Sequence, residues 1–84
     1  MVHNKINSLP VIGQNLLKAR KKYFPKDNMK AFSLRLGISR ATYQKMEKGD
    51  LSVSLKHYFQ AANILGLEEK FIQLFHIKDS LFDD

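Results

Sequence analysis

The 84-residue sequence has no cysteine and no tryptophan, only two prolines and four glycines, and no long apolar run. Without cysteine there is no disulfide framework, no thiolate metal site and no cysteine nucleophile, a composition that suits a cytoplasmic protein. Apolar runs stop at three or four residues. A membrane-spanning helix needs about 20, so none is expected. The first ten residues lack the apolar core of a secretion signal. His3, His57 and His76 lie far apart and share no ligand spacing, so no metal site is expected. Glu68-Glu69 and Asp83-Asp84 are sequence neighbours, and neighbours on a helix point to different sides. They are solvated charge rather than an acid/base pair. The glycines Gly13, Gly37, Gly49 and Gly66 are scattered and form no phosphate-cradling loop. No cofactor is expected, and no motif supports an enzyme.

The charge is plentiful but unevenly spread. Lys and Arg number 14 against 8 Asp and Glu, for a net charge of +6. Residues 1–57 carry 12 basic and 3 acidic side chains, and residues 58–84 carry a balance of −3. Lysine and arginine displace counterions from phosphate-rich surfaces, so the larger part of the chain is equipped for a polyanion and the end of it is not. The bland alternative is that these charges only solvate helix faces. With 44% apolar and 26% charged residues, the chain is expected to form one domain over residues 1–84. Its core is small, because a chain of this size buries roughly 60–65% of its unfolded surface.

Helical spacing runs almost throughout. Apolar residues at 12, 16, 19 and 23 give one face of a first helix from Val11 to Phe24, with Ser8 as its cap and Pro10 in its first turn. Pro25 interrupts it. Asn28 caps a second helix, Met29 to Leu36, with Met29, Phe32 and Leu36 inward, and Gly37 ends it. Ser39 caps a third, Arg40 to Lys48, closed by Gly49. Ser54 caps a fourth, Leu55 to Leu65, with Leu55, Tyr58, Phe59, Ala62 and Leu65 inward. A fifth runs from Leu67 to Phe75. Only His76-Ile77-Lys78 alternates in the manner of a strand. The expectation is an all-α, compact five-helix bundle with an N-terminal arm at residues 1–9 and a C-terminal tail at residues 76–84.

Residues 28–49 carry the functional signal. Two short helices joined by Gly37-Ile38-Ser39 have the connection of a helix-turn-helix, whose second helix enters the major groove of DNA. With Ile38, Tyr43 and Met46 inward, Arg40, Ala41, Gln44, Lys45 and Lys48 share one outward face that carries no acid. Arg and Lys can donate to guanine, Gln can pair with adenine and Ala can touch a thymine methyl, so Arg40, Ala41, Gln44 and Lys45 are the candidate base readers. Ser39 and Thr42 are expected to cap the helix, to touch phosphate, or both.

The chain resembles the phage-repressor-like (Cro/repressor, or xenobiotic-response-element) helix-turn-helix family over about residues 12–75. The resemblance rests on Ser33-Leu34-Arg35-Leu36-Gly37-Ile38-Ser39, on Arg40 to Gly49, and on Ser54-Leu55, Tyr58-Phe59, Ala62 and Leu65-Gly66 in register. It implies a lambda-repressor-like DNA-binding domain. It also implies an ion pair of Arg20 with Glu47, and phosphate contacts from Lys26, Asn28, Lys30, Lys48 and Ser52. The family usually has Gln where this chain has Met29, and Ile or Val where it has Tyr43, whose hydroxyl must then reach a partner if the core is not looser. The connection before the second helix is about two residues longer and adds Pro25 and Lys26. Glu47 to Leu55, followed by Ile64-Leu65-Gly66-Leu67, looks more narrowly like the HipB-type antitoxins, which repress their own operon and bind a HipA-type kinase toxin.

Phe71, Leu74, Phe75, Leu81 and Phe82 are a large apolar supply for the end of a small chain. They are either core or a surface for a partner. Two functions follow as expectations. One is a sequence-specific transcriptional regulator of double-stranded DNA, a dimeric (auto)repressor on a palindromic operator and, by the narrower resemblance, such an antitoxin. The other is a protein-interaction module with only weak DNA contact.

Overall fold

The computed structural model describes residues 7–79, in which five helices follow one another: α1 (Pro10–Tyr23), α2 (Met29–Leu36), α3 (Arg40–Glu47), α4 (Leu55–Ile64) and α5 (Glu68–Ile72). Polar side chains set where the middle three begin. Asn28 Oδ1 accepts from the Ala31 N–H at 2.8 Å, Ser39 Oγ from the Thr42 N–H at 3.0 Å, and Ser54 Oγ from the Lys56 N–H at 3.1 Å. Each satisfies one of the helix-start donors that have no partner within the helix. Gly37, at φ +70°, ends α2 in the left-handed conformation and lets the Ile38 N–H return to the Ser33 carbonyl at 3.1 Å.

The core is small and lies between α2, α3 and α4. Phe32, Leu36, Tyr43, Met46, Ala61 and Leu65 are buried, with Leu16 of α1 joining them. Burial of each large side chain contributes about 1.5–3 kcal/mol. Phe32 meets Phe24 edge-on, ring centroids 5.4 Å apart, and lies 5.2 Å from the Tyr43 ring. α1 crosses α3 at unusually short range. Gly13 presses on the backbone of Glu47 and Gly49, leaving no room for a Cβ.

Several expectations need correction. Ser8 does not cap α1. The N-cap position is Leu9, with no side-chain hydrogen bond. Residues 7–9 run as an extended arm instead: the Leu9 N–H donates to the Gly49 carbonyl at 2.8 Å, the Leu51 N–H donates to the Asn7 carbonyl at 2.9 Å, and Ser8 pairs antiparallel with Asp50. Backbone pairing with the loop after α3 uses the groups that a capping turn would have left to solvent. Ile12 and Tyr23 are exposed rather than inward, Tyr23 lying under the Lys22 ammonium with Nζ 5.4 Å from the ring centroid.

On α4, Ala61 is the buried residue, Ala62 is half-buried, and Leu55 and Phe59 are exposed. α5 has five residues where nine were expected, and of α4's exposed apolar side chains it meets Phe59 through Phe71. Gln73 to Phe75 form a turn, Phe75 has φ +65° and stands 98% exposed, and His76 to Lys78 are irregular rather than strand-like.

Candidate nucleic-acid interface

α3 presents one face to the core and the other to solvent. Tyr43 and Met46 are fully buried, while Arg40, Ala41, Lys45 and Lys48 are exposed and Gln44 is half-exposed beside them. The only acid on α3, Glu47, turns away from that face into an ion pair. Its Oε2 receives Arg20 Nε at 2.7 Å, and both side chains are more than nine-tenths buried. The same Oε2 accepts from the Tyr43 hydroxyl at 2.5 Å, which is the partner that a buried phenol requires. Burial, and then the hydrogen bond to Glu47, push the Tyr43 hydroxyl well above the ordinary tyrosine range. Glu47 in turn holds the Arg20 guanidinium more firmly charged.

Around this helix the structure brings other candidate residues to the surface. Lys26 sits on the α1–α2 loop and Lys30 in the first turn of α2, both exposed. The Asn28 carbonyl oxygen is occupied by its cap, which leaves its amide N–H group free to donate. Ser39 donates to the Thr42 hydroxyl at 2.9 Å in addition to capping α3. Ser52 donates to Asp50 Oδ1 at 2.7 Å and its N–H reaches the same oxygen at 2.8 Å. These two bonds hold the Asp50 carboxyl below the usual carboxylate range. Thus the Ser52 hydroxyl hydrogen is directed at Asp50. Residue 50 is further fixed by the Tyr58 hydroxyl, which donates to its carbonyl at 2.6 Å.

Sequence reasoning did not single out Asp27 and Arg35. The Arg35 guanidinium forks onto Asp27, with Nε to Oδ2 at 2.5 Å and Nη2 to Oδ1 at 3.2 Å, and lies 4.5 Å from the Phe24 ring centroid. The only available signal was the extra length of the α1–α2 connection, and a pair eight residues apart across a Pro-containing loop has no helical spacing to reveal it.

Of the apolar C-terminal candidates, Phe71 is half-buried against Phe59, ring centroids 5.3 Å apart, while Leu74 and Phe75 are exposed. Leu81 and Phe82 lie outside the described residues. A groove of about 430 Å³ opens between α1, α4 and α5, lined by Ile12, Leu55, Tyr58, Leu65, Phe71 and Leu74 among others, and it is almost wholly apolar. Among the described residues no group of three or more His, Asp or Glu is placed to hold a metal ion, and no helix is long and apolar enough to cross a membrane.

Neither a curated protein nor a solved structure matches the chain. The helix-turn-helix family does, over residues 26–72, which is more than half of the sequence and contains α2, α3, α4 and α5. Asn28-capped α2, the left-handed Gly37 and Ser39-capped α3 are the geometry behind that match, and the chain belongs to the phage-repressor-like helix-turn-helix family of DNA-binding regulators.

Proposed function

We propose that this regulator is a sequence-specific repressor that reads double-stranded DNA with α3. One observation supports the reading above the others: the exposed face of α3 carries Arg40, Lys45 and Lys48 with Ala41 and Gln44, while its one acid is turned inward to Arg20. Arg40, Ala41, Gln44 and Lys45 meet base edges, and Lys26, Asn28, Lys30, Thr42 and Lys48 meet the phosphates that fix register, whereas the Ser39 and Ser52 hydroxyl hydrogens are already given to Thr42 and Asp50. Two copies on a palindromic operator place their recognition helices about 34–36 Å apart, in successive major grooves. The uncovered groove beside α5, with Leu74 at its edge and Phe75 standing free, supports the second copy as its occupant.

The test is fluorescence anisotropy with the DNA upstream of the protein's own gene and a scrambled duplex, across a salt series. A preference of about 10³-fold with a steep salt slope is expected. Sedimentation equilibrium at micromolar concentration is expected to give the mass of two chains. A mass of one chain, with and without DNA, would remove the dimer.

A second reading is favoured by the same groove together with the acidic balance of residues 58–84. In it the chain is an antitoxin whose apolar C-terminal surface holds a HipA-type kinase, with DNA contact subordinate. Equal, weak binding to both duplexes, with stable binding to a purified kinase of that type, would favour it over the first.

A further inference from the structure

The α1–α2 loop is held by an unbroken chain of polar contacts that starts on the recognition helix. Tyr43 donates to Glu47, and Glu47 receives Arg20 Nε. The Nη1 of that same arginine then donates to the backbone carbonyl of Asp27 at 2.7 Å. The Asp27 carboxylate, 11% exposed, takes the two-pronged contact from Arg35, whose own side chain is 48% exposed. Arg35 closes the loop against the Phe24 ring, and the Asp27 N–H donates to the Phe24 carbonyl at 2.9 Å. Phe24 is anchored in turn by Phe32. Five residues of loop are therefore fastened at Phe24, at both ends of Asp27 and at Asn28, and the exposed crest left between the fastenings is Pro25-Lys26.

This is more fastening than stability needs. A half-exposed ion pair adds little to stability, because water screens it and two side chains must be held still to make it. A planar, two-pronged contact fixes direction as well as distance, which a single lysine–carboxylate contact does not. Met29, the first residue of α2, is half-buried and its side chain has no donor for a phosphate, so the positive groups of this edge are Lys26, Lys30 and the N–H groups at the start of α2.

We propose that Asp27 and Arg35 are positioning residues for DNA binding: they fix the loop so that Lys26 and the start of α2 meet the phosphates in register with α3. This rests on the reading of α3 and α2 as the DNA-facing surface. An acid at the edge of a DNA-binding face opposes binding by its charge alone, and Asp27 offsets this by holding Lys26 in place.

That opposition of sign supplies the test. Binding of Asp27→Ala and Arg35→Lys to a random-sequence 20-base-pair duplex is measured by anisotropy across a salt series, beside the unmodified protein, with helicity at 25 °C as the control. Asp27→Ala makes the chain more positive by one charge, and Arg35→Lys keeps the charge and loses the fork. The expected result is that both bind about 5- to 10-fold more weakly at low salt, with helicity retained. The slope of log K against log salt becomes shallower by about 0.9, the loss of one phosphate contact. Equal or tighter binding by Asp27→Ala at an unchanged slope would overturn the proposal alone. Loss of helicity in both variants would assign the pair to the fold and overturn it too. Failure of the unmodified protein to bind any duplex at low salt would instead overturn the reading of the surface, and the proposal with it.

Discussion

Tyr43 and Glu47 share one turn of α3, and the Tyr43 hydroxyl donates to the Glu47 carboxylate from inside the core. The phenol fills the centre of the molecule between Phe32 and Met46, and its polar end is satisfied by the acid that Arg20 already holds. The last residue of α3 is thereby tied both to the core and to α1.

Replacing Tyr43 with Phe keeps the ring and removes the donor. A hydrogen bond to a charged group contributes about 1.5–3 kcal/mol, and urea denaturation at pH 7 is expected to show a loss of that size. The pH dependence has a definite sign. The raised value in the folded chain means that the unfolded chain releases the Tyr43 proton first, so the stability is complete below about pH 10 and declines as pH rises above it. Tyr43→Phe is expected to lose less stability than the parent between about pH 9 and about pH 11. An identical alkaline loss in both would place the titration elsewhere.

Arg20→Met leaves the Glu47 carboxylate buried without its cation, at a cost of about 3–5 kcal/mol. Arg20→Lys recovers only part of this, because an ammonium cannot serve the Glu47 carboxylate and the Asp27 carbonyl with the spread of a guanidinium. Denaturation midpoints are expected in the order parent, Arg20→Lys, Arg20→Met.

Gly13→Ala tests the crossing of α1 and α3. A methyl there falls on the backbone of Glu47 and Gly49, and overpacking of this kind costs about 1–3 kcal/mol. The control is Gly37→Ala, where the new methyl meets nothing and only the left-handed backbone resists, at about 1–2 kcal/mol. Gly13→Ala is expected to alter the chemical shifts of α3 amides, and Gly37→Ala only those near the turn.

Arg40→Ala is expected to cost about 1–3 kcal/mol on a selected operator and to relax selectivity at one base pair. Lys48→Ala is expected to weaken every duplex alike and to reduce the salt slope by about 1. If Arg40→Ala weakened all sequences equally, its role would be that of a phosphate contact.

The middle of the molecule was legible in the sequence because its signals are local. Asn28, Gly37, Ser39 and Ser54 each act within four residues of where they stand, and the structure puts helix boundaries there. What was hidden depends on distant partners. Ser8 has the chemistry of a cap, yet its strand-like pairing with Asp50, 42 residues on, decides its conformation. Asp27 and Arg35 have no periodicity to announce them. Nor could spacing reveal that α5 stops at Ile72 or that Leu55, Phe59 and Leu74 stand exposed. In the candidate site, the face of α3 could be read from its spacing, whereas the use of the Ser52 hydroxyl on Asp50 is set by the local turn and has no signature in spacing.

The close approach of Gly13 to the Glu47 backbone has a consequence for the DNA of the proposed complex. Main chain packed on main chain has no rotamers to exchange, so α3 cannot slide or tilt on α1 to suit a groove of different width. With α3 in the groove as proposed, a misfit at the interface would be absorbed by the duplex, as bending or as a change in groove width. Base steps that deform easily gain an advantage even where no side chain touches them.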